Sequence, residues 1–306
     1  MPAVKKTDTS NTTKYYAAAI AAFAIWGFFS FALMPLQNYP SLDILFYRVF
    51  FSTVLMLLIT AIFRRRTFNE NVQLFRKLAY HQKKKSVLLN IGGGIFLTSN
   101  WFFFIYVMNH ISIKATSLAY LVCPILTALL AFFVLKEKLN KYQRLAIGLS
   151  IGGCLLLALG NMLDMLYSLV VGLSYALYLV SQRRNAGFDK LLVLTFHFVI
   201  SAVLLLPLYP FFSARLPTSA DFYSYTAIIS VVFTIIPLFL NLYALKALTS
   251  STVGMLLSIN PLIGFTIAVI VFHEPVNAMQ LTGYAVVFAA VVIFNIRVSK
   301  SVRSGK

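Results

Sequence analysis

The sequence predicts an all-α polytopic membrane protein, with ten transmembrane helices arranged as two inverted five-helix repeats. Three observations carry that prediction. Of 306 residues, 60% are apolar and only 11% are charged, less than half of the roughly 25% charged share of soluble domains, and mean hydropathy is +0.84. The apolar residues gather into ten runs, each close to the ~20 residues that cross a bilayer as a helix. The second half of the chain also echoes the first at a shift of 137 residues.

The runs are 15–36, 42–63, 87–108, 115–135, 145–163, 165–182, 191–212, 222–243, 248–272 and 277–297. The first follows lysines, as a signal peptide would, but continues to Leu36 with no polar cleavage region, so it is expected to be a retained span. The second carries Arg48, the one Lys or Arg well inside a span. The third follows the basic segment 64–86 and contains Gly92-Gly93-Gly94, a signature of close helix contact. The fourth and ninth hold Pro124 and Pro261 near their middles, and the eighth holds Pro237. The fifth and tenth carry Gly148-xxx-Gly152 and Ala285-xxx-Ala289, small-residue spacings that suit close packing. The sixth opens the second half, and the seventh contains the isolated His197. The expected organisation is a tail over 1–14, a first unit over 15–163, a second over 164–297, and a tail over 298–306.

The net charge of +18 does not point to nucleic acid, because no basic domain remains once the spans are removed. Arg64-Arg65-Arg66 and Lys83-Lys84-Lys85 lie between apolar runs, as cytoplasmic loops facing anionic headgroups do. With both ends inside, the cytoplasmic segments hold 23 of the 26 Lys and Arg, and the opposite side holds only Lys114 and Arg215. Cys123 and Cys154 both fall within apolar runs, so neither a disulfide framework nor a metal site is expected.

The shift of 137 aligns Pro124 with Pro261, Ala131 with Ala268, Val134 with Val271, Glu137 with Glu274, Asn140 with Asn277, and Gln143 with Gln280. Phe102 with Phe239 and Tyr106 with Tyr243 extend the match upstream. Each half has five spans, an odd number, so the second half must sit upside down relative to the first. The charges agree: Lys136, Lys138, Lys141 and Arg144 follow the fourth span, whereas its counterpart after the ninth has His273 and no Lys or Arg. Inverted repeats are the architecture of alternating-access transporters.

Trp26-Gly27, Tyr47 through Ser52, Asn100-Trp101, Ala119 through Pro124, Leu135 through Leu139, Asn260-Pro261 and His273-Glu274-Pro275 together resemble the EamA-type permeases of the drug/metabolite transporter superfamily, and within them the RarD-like group. Cys123 departs from the asparagine expected before the first of the two prolines, which Asn260 retains in the second half. The resemblance implies ten helices, transport of small organic solutes across the inner membrane, and no cofactor.

Polar groups inside the spans are the candidate site. Asn100, Trp101 and Tyr106, with Tyr120, Asn241, Tyr243 and Asn260, supply amide, indole and phenol groups that suit a mixed cavity. Trp101 fits an interfacial belt equally well. Arg48 has two readings, a structural tether to Asp43 or a helix C-terminus, or recognition of an anionic substrate group. Pro124 and Pro261 are either packing kinks or gating positions whose freed carbonyls line a cavity. His197 is expected to be a hydrogen-bonded packing group rather than a proton relay. Glu137 and Glu274, where helices four and nine leave the membrane, are expected to hold the fold, for example the re-entry of helices five and ten, rather than to couple protons. A phosphate loop, a metal-binding His pair and a nucleophile beside a base are all lacking in the sequence, so an enzyme is disfavoured. The leading function is a permease for a small organic metabolite, amino-acid-like solute or drug, with membrane lipids as its other partner. The alternative is a non-transporting scaffold or lipid-handling protein on the same repeat.

Overall fold

The structure is a computed structural model that describes residues 9–36, 38–110, 113–158, 162–185, 187–213, 216–271 and 278–303. Each expected span is helical among the described residues. The first is α1 (Thr9–Gly27), then α2 (Phe29–Leu33) and a single 3₁₀ turn; the second is α3 (Ser41–Phe63). An unexpected helix, α4 (Arg65–Lys77), fills the basic connection. The third to sixth spans are α5 (Tyr80–His110), α6 (Ile113–Leu135), α7 (Lys141–Ala158) and α8 (Met162–Arg184). The seventh is α9 (Lys190–Leu205), followed by the single turn α10 (Tyr209–Phe212). The eighth is α11 (Ala220–Ser230) and α12 (Ile236–Ala244), joined by a π-helical turn. The ninth is split into α13 (Ser250–Leu256) and α14 (Ile259–Ile270), and the tenth is α15 (Ala278–Arg303).

Four stretches, 42–63, 80–107, 220–244 and 250–267, are long and apolar enough to cross a bilayer by length and composition alone. The others are shortened by breaks, polar ends or the limits of the described residues. Phe63, Phe133 and Val203 are 78%, 71% and 64% exposed on the outside of the bundle. So many large apolar side chains are stable there only against lipid.

The packing of the helices reproduces the repeat. In the first half α5 and α6 pack against α8; in the second, their counterparts α12 and α14 pack against α1. The sixth span thus completes the first half, and the first span completes the second. Three further contacts join an element to its own counterpart: α3 with α9, α7 with α15, and α6 with α13. These lie along the axis that relates the halves. A buried core containing Phe23, Phe46, Leu97, Phe198, Leu238 and Leu242 runs across that junction.

The repeated motif Glu137-x-x-Asn140-x-x-Gln143 has a physical meaning. Asn140 and Gln143 form a reciprocal capping box at the start of α7: the Asn140 N–H donates to Gln143 Oε1 at 3.0 Å, and the Gln143 N–H donates to Asn140 Oδ1 at 2.9 Å. The chain arrives there through Lys136 in the left-handed region, at φ 55°. Their second-half equivalents fall partly on residues outside the described set.

Contact between α7 and α15 is closest one position beyond the expected spacing. Gly148 and Gly152 face open space, while a Cβ on Gly153 would sit 2.8 Å from Val287 and one on Gly283 would sit 2.6 Å from Leu157. Ala146 and Ala290 are fully buried, and the shift of 137 maps Ala146 to Gly283 and Gly153 to Ala290. The small residues that let these helices touch are therefore Ala146, Gly153, Gly283 and Ala290. The expected contact at the glycine triplet is present. A Cβ on Gly93 would meet His197 Nε2 at 2.7 Å and one on Gly94 would meet Ile200 at 2.7 Å, so α5 lies directly against α9.

Candidate functional site

Where the halves meet, polar and aromatic groups from α1, α3, α5, α6, α8 and α12 converge. Arg48 on α3 sits two turns inside its helix, with its guanidinium 4.9 Å from the ring centroid of Trp101 on α5. Its Nε is buried with no hydrogen-bond partner. Asp43, the expected tether, instead accepts a 2.6 Å hydrogen bond from Ser213 Oγ. Among the described residues the ion pairs are Arg64–Asp189 and Arg66–Glu70, so Arg48 has no carboxylate partner there.

Tyr120 on α6 lies within electrostatic range of Arg48, and its ring is 6.5 Å from that of Tyr175 on α8. The Tyr175 hydroxyl accepts a 2.6 Å hydrogen bond from Asn241 Nδ2, whereas Asn241 Oδ1 is buried without a partner. Tyr175 also touches Trp26 edge-on at 6.0 Å and Tyr178 at 5.7 Å. The Tyr178 hydroxyl and both nitrogens of His197 are buried and unpartnered, with the two rings 5.6 Å apart. The expectation that His197 would be hydrogen-bonded is therefore corrected: it packs against Gly93, and the nearby Gln182 Nε2 donates instead to Leu89 O and Ser181 Oγ.

Trp26 occupies its place because of a proline. Pro237 has no N–H, so the carbonyl of Phe233 loses its partner one turn back, within the π-helical turn. Trp26 Nε1 takes that carbonyl at 2.8 Å. The first span is in this way fastened to the eighth across the repeat boundary.

The structure brings Arg48, Trp101, Tyr120 and Asn241 together around Tyr175. Asn100 is buried beside them but spends its amide on α8, donating to Val171 O at 3.1 Å and Ser174 Oγ at 3.2 Å. Asn260 is half-buried at the start of α14, next to the break at Leu257–Ser258. Pro261 follows that break, whereas Pro124 lies within the continuous α6. Tyr106 and Tyr243 do not join the cluster. Tyr106 is 43% exposed and stacks on Phe102 at 6.3 Å, and Tyr243 stacks on Phe239 at 6.4 Å, with Tyr15 and Lys246 against it. The repeat thus preserves an i,i+4 aromatic stack in each half, and inversion sends the two stacks to opposite ends.

Tyr175 and Tyr178 were not among the sequence candidates. With Gln182 they recur at i, i+3 and i+7 along α8, which places them on one face. That stripe was the available signal.

Glu137 links the halves at one end of the bundle. Its Oε1 accepts the Ser250 N–H at 3.0 Å, and its Oε2 accepts the Ser251 N–H at 3.2 Å and the Ser251 hydroxyl at 2.5 Å. It therefore caps α13 of the ninth span, not the following helix. Glu274 lies outside the described residues. At the same end Arg183 Nη1 donates to Leu245 O at 2.6 Å, and Lys190 Nζ donates to Asn185 O at 2.8 Å. Burial, with Lys246 and Arg183 nearby, pushes the Lys190 ammonium down to about 8. Among the described residues no three His, Cys, Asp or Glu side chains converge to hold a metal ion.

Comparison with known proteins supports the repeat. The profile of the EamA-like transporter family matches residues 13–159 and again residues 162–296. The chain is 28% identical to the uncharacterized transporter YojE of Bacillus subtilis over 97% of this chain and 98% of that protein. It is 28% identical to the protein RarD of Streptomyces exfoliatus over 89% and 85% of the two chains. With RarD of Escherichia coli the identity is 24% over 94% and 95%. A solved crystal structure superposes with a TM-score of 0.70 at 13% identity, covering 96% of this chain and 99% of that one.

Proposed function

Because the chain belongs to the EamA-like transporter family, matched in both of its halves, we propose that it is a secondary permease moving a small organic solute by alternating access. On this reading the first unit spans 15–163 and the second, inverted unit spans 164–297. Both tails are cytoplasmic, as the positive-inside rule favours for this charge distribution. The solute binds at the Arg48–Trp101–Tyr120–Tyr175–Asn241 cluster, which both halves build. Asn100 and Asn260 border it, and Pro124 and Pro261 mark the helices that gate it.

The observation that carries the reading is the unpaired guanidinium. A spanning arginine costs about 2.5–3.5 kcal/mol or more to insert. A desolvated cation–π contact returns about 2 kcal/mol. The contact with Trp101 offsets only part of the cost, and an anionic group on the solute supplies the rest. The tyrosines and Trp26 then enclose an apolar or aromatic body.

The test is a thermal-shift panel on the purified protein with small aromatic carboxylates, their neutral amides and the corresponding amines. Carboxylates are expected to stabilise it, Arg48→Gln to abolish the shift, and Arg48→Lys to keep a weaker one. Stabilisation by amines alone, or an undiminished shift in Arg48→Gln, refutes anion recognition. Saturable flux in proteoliposomes separates the permease from a scaffold, which would carry none.

A further inference from the structure

A cavity lies outside the central cluster. It has a volume of about 350 Å³ and is enclosed by α4, the start of α5 and the start of α9, within the ~300–1,000 Å³ range of ligand pockets. Its lining is almost wholly apolar: Phe68, Val72 and Phe75 from α4, and Val87, Ile91 and Phe196 from the two spans are representative. Helix α4 is held over it as a fixed roof. Arg64 pairs with Asp189 at 2.8 Å, Asn71 Oδ1 accepts the Asp189 N–H at 2.9 Å, and Phe75 lies 6.4 Å from Phe188. The same Asp189 caps α9 through the N–H groups of Leu191 and Leu192, so roof and wall share one anchor.

The side wall is open to lipid. Val87, Ile91 and Phe196 are 42%, 43% and 52% exposed although they line the cavity. The rim is cationic. Arg76 and Lys77 end α4, and Lys83, Lys84 and Lys85 begin α5. Lys83 precedes the cavity residues Ser86 and Val87 by three and four positions and so stands one turn above them on the same face. Arg76 follows Val72 by four positions and so lies on the same face of α4. Among the described residues none of these cations has a carboxylate within ion-pair distance, since Asp189 and Glu70 pair with Arg64 and Arg66. An apolar slot open to the bilayer beneath unpaired cations matches one chemistry, an acyl chain below an anionic headgroup.

We propose that this cavity is a specific binding site for an anionic phospholipid, with its acyl chain under α4 and its phosphate on Arg76 and Lys83. The proposal does not depend on the identity of the transported solute. Native mass spectrometry of the full-length protein in neutral detergent, given equal amounts of dioleoyl phosphatidylglycerol and phosphatidylcholine, provides the test. Phosphatidylglycerol adducts are expected to dominate. The double substitution Arg76→Gln/Lys83→Gln lies on the exposed rim and should lower that preference roughly twenty-five-fold, each basic residue near a headgroup contributing about fivefold. Val72→Trp fills the slot and should reduce adducts of both lipids. Equal binding of the two lipids by the unaltered protein, or an unchanged preference in the double variant, overturns the proposal. Full phosphatidylglycerol binding by a folded Val72→Trp protein shows headgroup attraction without a chain site and overturns it as well. Displacement of the lipid by a solute that also binds through Arg48 would make the cavity part of the transport path, which equally overturns it.

Discussion

Replacing Glu137 should open one end of the bundle. Its carboxylate satisfies two of the first N–H groups of α13 and the Ser251 hydroxyl, while Thr249 takes the Thr252 N–H at 3.2 Å. Hydrogen bonds to a charged group contribute about 1.5–3 kcal/mol each, and a negative charge at a helix N-terminus about 0.3–1 kcal/mol. The three bonds share one half-buried carboxylate and are not additive, so Glu137→Ala should weaken the α6–α13 closure by about 2–4 kcal/mol. Glu137→Gln keeps one acceptor and should weaken it by about half as much. At 1.4 kcal/mol per factor of ten, even ~2 kcal/mol raises the open population about thirtyfold. The chain carries its own reporter. Cys123 is fully buried on α6, one turn from Thr127, and a Cβ on Gly254 of α13 would come within 2.7 Å of Thr127. Cys154 on α7 is buried in a second cluster, with Ala146, Val287 and Ala290, that α6 and Met255 of α13 also join, and it serves as the comparison. In the membrane, labelling of Cys123 by a permeant maleimide, read by peptide mass spectrometry, should rise at least tenfold in Glu137→Ala while Cys154 stays protected. Unchanged Cys123 labelling refutes the closure argument. A parallel rise at both cysteines with a lowered Tm refutes it too, because that is loss of the fold.

The charge asymmetry predicts that an impermeant thiol reagent added outside intact cells labels Asn277→Cys and spares Ser304→Cys; the reverse pattern overturns the proposed topology. The ninth span is broken before Pro261, while α6 runs unbroken through Pro124. If these are the two positions of one gate, Pro124→Ala and Pro261→Ala should keep solute binding and lose most of their turnover, with both measured on the same preparation. Unchanged transport in both variants reduces the prolines to packing features.

The helices and the repeat were legible in the sequence because each rests on local information. A run of some twenty apolar residues has one stable form in a bilayer, and in the first half the Asn140 and Gln143 of the repeated motif cap α7 through bonds made three residues apart. The chain reversals were legible for the same reason. Helix α4 was not, because its many charges hide an apolar face of Phe68, Val72 and Phe75 that shows only in its 3.6-residue period.

Which side of each helix meets protein was decided only by the tertiary structure. Hydropathy averages around a helix, and in lipid both faces are apolar, so the sequence of a span carries little record of its rotation. The predicted packing glycines Gly148 and Gly152 face open space while Gly153, one position further, makes the contact. Tyr106 and Tyr243 look like cavity residues by type, yet inversion sends them to opposite ends. Trp26 and Tyr175 enter the central cluster through partners more than sixty residues away, a freed carbonyl on the eighth span and an amide on α12. Composition and local bonding set where the spanning helices lie along the chain. Their rotation, and with it the site, was set by the exchange of α1 and α8 between the halves.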